Sequence, residues 1–241
     1  MSEREPSGPT LRYGIDAIYV PIVLGAATVV LVVLGIVGSN VWLVVIGLFF
    51  LAQTAMYLYT TLIGKHQVWS GLLDWLGLQG SEHVLDLGCG RGAVLVAAAR
   101  RLDSGSATGI DLWRSVDQSG NDQTRTRMNA EAASVGDRVE LDTGDLRSLP
   151  YPDASFDVVV SSLAIHNISG IQGRLRAIDE AARVLRPGGR LCIADIRSVG
   201  KYAQRLRELG MVEVNVRRIG PNGWFGGPWE AMASVTAARP K

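Results

Sequence analysis

The most informative segment of the chain is Val84-Leu-Asp-Leu-Gly-Cys-Gly-Arg-Gly92. A short apolar run, which predicts a strand, leads into three glycines at alternate positions. A run rich in alanine, valine and leucine follows and predicts a helix. Glycine permits a tight turn and lets a ligand approach the backbone closely. Because open α/β sheets bind ligands at the carboxyl ends of their strands, we expect this loop to bind one.

Short apolar runs, typical of strands, alternate with longer runs of helical periodicity through the rest of the chain. Strands are predicted at residues 83–87, 107–110, 139–143, 156–161 and 190–196, with helices at 91–102, 128–135, 175–185 and 201–209. Two further strands, 212–218 and 232–237, have no helix between them and should pair antiparallel. Residues 83–241 are therefore predicted to form an α/β domain with a seven-stranded, mostly parallel sheet and helices on both faces.

The glycine spacing by itself leaves the ligand open. Gly88, Gly90 and Ala93 fit a dinucleotide-binding pattern, and Asp111 has the spacing of its ribose-binding acid, so a nicotinamide-dependent oxidoreductase is one alternative. Asp86, however, suits a ligand with a cationic end and is poorly placed beside a pyrophosphate.

Four stretches, in this order along the chain, resemble the class I S-adenosylmethionine-dependent methyltransferases, in particular small-molecule enzymes of the ubiquinone-biosynthesis and arsenite type. They are Val84–Gly92, Gly109-Ile-Asp, Gly144-Asp-Leu with Leu149-Pro-Tyr-Pro-Asp-Ala-Ser-Phe-Asp-Val, and Ala182-Arg-Val-Leu-Arg-Pro-Gly-Gly. The resemblance implies a Rossmann-like methyltransferase fold, S-adenosylmethionine as cofactor and methyl transfer as activity.

The resemblance also implies roles for individual residues. Asp86, Gly88, Cys89 and Gly90 would hold the methionine part of the cofactor, and Asp111 would accept hydrogen bonds from the ribose hydroxyls. Leu112 or Trp113 would pack on the adenine, Asp145 would accept from its amino group, and the Leu146 amide would donate to its ring. Ser161 would face the cofactor from the end of the fourth strand.

Residues for the methyl acceptor are sought after the fourth strand and near the end of the chain. His166 is a candidate general base, since histidine titrates near neutral pH, although a structural histidine is equally compatible with the sequence. Asn167 is predicted to orient the acceptor or to cap a helix. Trp224 and Trp229 are predicted to line the acceptor pocket or to face lipid headgroups, with ordinary loop packing as the alternative.

An uncharged segment precedes the α/β domain. Residues 17–64 contain no Asp, Glu, Lys or Arg, and Gly38-Ser39-Asn40 divides them into apolar runs at 18–37 and 41–63. A helix of about 20 residues crosses the roughly 30 Å hydrocarbon core of a bilayer. We therefore predict a transmembrane hairpin, with a signal peptide or buried core helices as alternatives.

The charged flanks of the hairpin predict its orientation. Arg4, Arg12 and Lys65 all lie outside the turn, which favours a cytoplasmic location for both termini and for the catalytic domain. The predicted organisation is a tail over residues 1–16, the hairpin over 17–64, a juxtamembrane linker helix over 65–82 and the catalytic domain over 83–241.

The composition limits the partners. A net charge of +1 argues against nucleic acid, and two cysteines, Cys89 and Cys192, argue against a cysteine-rich metal site, so no metal is expected. We expect a small, hydrophobic or membrane-associated acceptor, with membrane lipid contacting residues 17–64. Self-association through the hairpin stays open, as does a non-catalytic sensor that only binds S-adenosylmethionine.

Overall fold

The structure, a computed structural model, describes residues 13–241. The predicted tail therefore lies largely outside the described residues, as do Arg4 and Arg12. The helices are α1 (Tyr19–Val37), α2 (Val41–Tyr59), α3 (Lys65–Leu76), α4 (Ala93–Ala99), α5 (Gln123–Ala132), α6 (Ile171–Val184) and α7 (Val199–Glu208). The strands are β1 (His83–Leu87), β2 (Ser106–Asp111), β3 (Val139–Thr143), β4 (Phe156–Ser162), β5 (Leu185–Asp195), β6 (Val212–Arg218) and β7 (Ala233–Ala238).

The seven strands form one sheet in the order β3-β2-β1-β4-β5-β7-β6. The first five strands are parallel, and β7 lies antiparallel between β5 and β6. The strand order reverses between β1 and β4, and the register places Asp86 of β1 beside Gly109 of β2 and Val160 of β4. A ligand-binding crevice is expected at this switch point.

Helices cover both faces of the sheet, as predicted. One core cluster contains side chains of α3, α4 and α5, and a second contains side chains of α6 and α7. Trp69, Leu73 and Leu76 of α3 are buried in the first cluster. Helix α3, within the segment predicted as a linker, therefore packs in the domain core.

Two elements, α5 and β5, begin five residues earlier than the sequence pattern predicts. Helix α5 starts at Gln123 because the Asp122 carboxylate accepts hydrogen bonds from the amides of Thr124 and Arg125, which caps the helix. Strand β5 starts at Leu185, which pairs with Phe156 across a register shift. The boundaries were predicted from apolar periodicity. A side-chain cap or a strand irregularity leaves that periodicity unchanged, so neither early start could be predicted from it.

The apolar hairpin is present, and its two helices are long and apolar enough to cross a membrane. Only 17% of the most apolar window of the first helix is buried, and 11% of that of the second. Such exposure is unlike that of a core helix in a globular protein. No break separates the hairpin from the domain, since a π-helical segment (Thr60–Gly64) joins α2 to α3 in one continuous helix.

Candidate active site

A cleft of about 1280 Å³ lies at the carboxyl ends of the parallel strands. Its walls come from the glycine loop after β1, the segments after β2, β3 and β4, and the base of the hairpin. A single drug-sized ligand occupies a pocket of roughly 300–1,000 Å³. The cleft is therefore large enough for a cofactor together with a second molecule.

The glycine loop lines the cleft with backbone. Gly88 has a φ of +72° and donates its amide to the Ile110 carbonyl oxygen at 2.8 Å. A Cβ atom on Gly88 would overlap the side chain of Ala164. Gly90 has a φ of +50°, and a Cβ there would meet the Gln118 side chain. Gly88 thus requires glycine for conformation and for space, and Gly90 requires it for conformation.

Asp86 lies at the cleft with its carboxylate buried and unpartnered. Its side chain is 1% exposed, and neither carboxyl oxygen has a hydrogen-bond partner among residues 13–241. Burial, reinforced by the charge of Asp111, raises the pKa of Asp86 to about 8; the Leu95 amide opposes this shift but lies outside hydrogen-bond geometry. A cation beside this buried carboxyl group would favour its ionised form. The amino group of a methionine moiety would be such a cation.

Asp111 joins the glycine loop to the segment after β2. Its carboxylate accepts from the Gly90 amide at 2.8 Å, the Trp113 amide at 2.7 Å and the Asn121 side chain at 3.2 Å. Two carboxylate oxygens offer about four acceptor sites, so capacity for a ribose hydroxyl remains. Leu112 lines the cleft, whereas the Trp113 indole donates to Thr143 Oγ1 at 2.8 Å and packs beside the core. Of the two residues predicted to pack on adenine, Leu112 lines the cleft and Trp113 does not.

Asp145 and Leu146 also line the cleft, after β3. The Asp145 carboxylate is bound by the Arg147 guanidinium and by the Arg147 amide at 2.9 Å. The hydrogen bonds from Arg147 lower the pKa of Asp145 below its ordinary value. An adenine amino group would therefore have to share this carboxylate with Arg147.

Ser161 is placed elsewhere than the sequence suggests. Its side chain is buried in the sheet, where Oγ donates to the Leu87 carbonyl oxygen at 2.8 Å. The neighbouring residue, Ser162, lines the cleft and accepts from the Trp69 indole N–H at 2.7 Å. Consecutive strand residues point to opposite faces, so an error of one residue exchanges the two environments.

His166 lines the cleft and forms a dyad with Asp195, at the end of β5. The His166 Nδ1 lies 2.6 Å from Asp195 Oδ1, and the Asp195 carboxylate also accepts from the amides of His166 at 3.0 Å and Ile196 at 2.7 Å. With Nδ1–H donating to Asp195, Nε2 is the ring nitrogen able to accept a proton. Asn167 lines the cleft beside His166. Asp195 itself was not anticipated, because 29 residues separate it from His166.

The end of α2, helix α3 and the loop before β7 form another wall of the cleft. Tyr57, His66 and Trp69 line it together with Phe225, whose ring meets Tyr57 edge-on at a centroid distance of 5.2 Å. The sequence did not indicate His66 for this role. Apolar periodicity along a helix identifies a buried face but not the cavity that the face borders.

The two tryptophans predicted for the acceptor lie outside this wall. Trp229 is 62% exposed and contacts Phe49 of α2 at a ring-centroid distance of 6.0 Å. The Trp224 carbonyl oxygen accepts from Thr60 Oγ1 at 2.6 Å. The loop that contains both residues thus packs against the hairpin, and Phe225 between them enters the cleft wall.

Comparison with known proteins agrees with this geometry. Residues 85–193 match the family model of the methyltransferase domain. The chain carries an S-adenosylmethionine-dependent methyltransferase domain. It is 37% identical over 144 residues to the ubiquinone/menaquinone biosynthesis C-methyltransferase UbiE of Roseobacter denitrificans, covering 59% of this chain and 54% of that protein. It is 38% identical over 145 residues to the 27-O-demethylrifamycin SV methyltransferase of Amycolatopsis mediterranei, covering 58% of this chain and 50% of that protein.

The methyltransferase fold is also seen in solved structures. An S-adenosylmethionine-dependent methyltransferase from Aquifex aeolicus superposes with a TM-score of 0.56 at 20% identity, over 70% of this chain and 88% of that chain. The predicted fold is thereby confirmed, and the match to the methyltransferase family supports the predicted cofactor. The chain spans about half the length of the curated relatives it matches, and the hairpin lies outside the family match.

Proposed function

We propose that this protein methylates a small, hydrophobic or membrane-associated acceptor with S-adenosylmethionine, in a cytoplasmic domain anchored by the hairpin. The observation that carries the proposal is the His166–Asp195 dyad in a cleft that also contains the buried, unpartnered carboxylate of Asp86. The first feature supplies a base, and the second suits a cationic cofactor.

The cofactor-binding half of the cleft follows from the residues present. Asp86 and the backbone of Gly88–Gly90 would hold the methionine part, Asp111 the ribose, and Leu112 with Asp145 and Leu146 the adenine. When bound, S-adenosylmethionine supplies a methyl group already activated by a sulfonium, so the protein has only to position the nucleophile and manage its proton.

His166 would take that proton at Nε2. The buried Asp195 carboxylate fixes the ring orientation and would stabilise the imidazolium that results. One relative is named for methylation at carbon and another at oxygen. A hydroxyl and an activated carbon both lose a proton on methylation, so the dyad suits either acceptor atom.

The hairpin supports a hydrophobic acceptor. Tyr19 and Val20, in the first turn of α1, line the same cleft as His166. The cleft thus reaches the start of a helix whose surface is mostly apolar and exposed. An acceptor that partitions into the bilayer would reach the domain at this point.

The test is transfer of labelled methyl groups from S-adenosylmethionine into a lipid extract of the native host. The His166→Gln variant should lower the rate about 10²- to 10⁴-fold, as expected for loss of a general base, with S-adenosylmethionine affinity unchanged. His83→Gln is the matched control, since His83 is exposed on β1 and should leave the rate unaltered.

Other outcomes would point to other functions. Equal rates for wild type and His166→Gln would contradict the dyad's role. Cofactor binding without transfer into any extract would favour the sensor. Binding of NAD without S-adenosylmethionine would favour the oxidoreductase.

A further inference from the structure

The two ends of the hairpin meet in a buried ion pair. Lys65 Nζ, at the start of α3, lies 2.6 Å from Asp16 Oδ2, just before α1, and the two side chains are 6% and 17% exposed. Removing two charges from water is costly, and a buried pair contributes little net stability as a rule. Stability alone therefore does not explain why this ion pair is buried here.

The second helix of the hairpin holds Asp16 by three further contacts. Thr61 Oγ1 lies 2.7 Å from Asp16 Oδ2 and 3.1 Å from the Asp16 amide, and the Tyr57 hydroxyl donates to the Asp16 carbonyl oxygen at 2.8 Å. Thr61 belongs to the π-helical segment, a distortion that often occurs at functional sites. Backbone and carboxylate of Asp16 are thus fixed relative to this helix.

Gln118 connects Asp16 to the glycine loop. Its Nε2 donates to Asp16 Oδ1 at 3.1 Å, and its Oε1 accepts from the Arg91 amide at 2.8 Å. The absence of a side chain on Gly90 leaves room for this contact. Since Gln118 also lines the cleft, the polar segment after β2 lies between the hairpin and the cofactor loop.

Neighbouring backbone contacts make the connection rigid. The Ile15 amide donates to Ser119 Oγ at 3.0 Å, the Ser119 amide donates to the Ile15 carbonyl oxygen at 3.2 Å, and Arg91 Nη1 donates to the Ser119 carbonyl oxygen at 3.1 Å. A shift of the hairpin base would therefore move the segment that holds the glycine loop.

We propose that Asp16, Lys65 and Gln118 are positioning residues that couple the hairpin to S-adenosylmethionine binding. The hairpin is then part of the cofactor site as well as an anchor. This inference rests on the proposed function only in that the cleft binds S-adenosylmethionine.

The test is calorimetric titration of the full chain, in detergent or lipid nanodiscs, with S-adenosylmethionine. Lys65→Met should raise Kd about fivefold or more, within the range of typical coupling between sites. Gln118→Ala should raise it similarly. The double variant should bind no more weakly than the weaker single one, because both substitutions interrupt the same connection.

Two controls separate positioning from stability. Tyr59→Phe removes another contact between hairpin and domain, the hydrogen bond from Tyr59 to Asn222, and should leave Kd unchanged. Asp16→Asn combined with Lys65→Met removes the uncompensated charge but leaves the connection interrupted, so its Kd should stay raised. The stoichiometry of titration reports the folded fraction independently of Kd.

The proposal is overturned if Lys65→Met lowers the melting temperature but leaves Kd unchanged, or if the effects of Lys65→Met and Gln118→Ala simply add. Failure of the wild-type chain to bind S-adenosylmethionine would instead overturn the proposed function, and the two failures are distinguishable in one experiment.

Discussion

Asp86 illustrates how a single residue can be unfavourable for folding and suited to binding. A carboxylate that is buried without a partner disfavours its ionised form, which is why its pKa is raised to about 8 in the unliganded cleft. A neutral amide of the same shape removes that penalty. Asp86→Asn is therefore a variant in which stability and affinity should move in opposite directions.

Binding of S-adenosylmethionine should release a proton near pH 7. A cation beside Asp86 favours the ionised carboxylate, so binding lowers the pKa of Asp86 from about 8, and affinity should increase between pH 6 and pH 7. Calorimetry in two buffers of different ionisation enthalpy measures the released proton. Asp86→Asn should abolish the buffer dependence, weaken binding and raise the melting temperature of the unliganded protein at pH 7. Identical heats for the wild type in both buffers would contradict this account.

At the scale of elements, the hairpin depends on two glycines where its helices touch. A Cβ on Gly35 would lie 2.8 Å from the Val44 amide nitrogen, and one on Gly47 would lie 2.7 Å from Val32 Cγ2. Small residues let apolar helices approach closely, which drives helix association in lipid. Gly25 lies on the same helix as Gly35, but a Cβ there would meet no atom of residues 13–241 within 4 Å.

Gly35→Ala should therefore destabilise the hairpin, whereas Gly25→Ala should not. Overpacking against a backbone atom costs about 1–3 kcal/mol, while alanine at an open helical position is neutral or stabilising. Thermal unfolding of both variants in the same detergent makes the comparison. Equal melting temperatures for the two variants would mean that α1 and α2 do not pack as described.

For the whole molecule, the contacts at the hairpin base restrict how the chain can sit in a membrane. Asp16 before α1 and Lys65 after α2 bind each other and both adjoin the catalytic domain. If the hairpin inserts, its two ends lie on the side of the domain and the turn at Ser39 lies on the other side. The alternative of a removed signal segment would detach Asp16 from the site.

Labelling with a membrane-impermeant maleimide in intact cells tests this topology. Ser39→Cys in the turn should react from outside, whereas Ser104→Cys on the domain should react only after the membrane is disrupted; both serines are exposed. Cys89 and Cys192 are buried, so background labelling should be low. Labelling of Ser104→Cys in intact cells would contradict a cytoplasmic domain.

Local sequence pattern was sufficient to predict several features of the molecule. These are the seven strands with their antiparallel last pair, the glycine loop with Asp86 and the two apolar helices. Each depends on periodicity or on glycine at a turn, which neighbouring residues specify. The predicted roles of Asp111, Asp145 and the other cofactor-binding residues stay predictions, although most of these residues do line the cleft.

Only the tertiary structure shows which side chains from distant parts of the chain meet. Asp195 reaches His166 because β4 and β5 are neighbours in the sheet, and Asp16 reaches Lys65 because α1 and α2 fold back on each other. Ser162 lines the cleft and Ser161 does not, and Phe225 lines it while Trp224 and Trp229 do not. These differences depend on side-chain direction. Packing between elements far apart in the chain sets that direction, and no local pattern contains it.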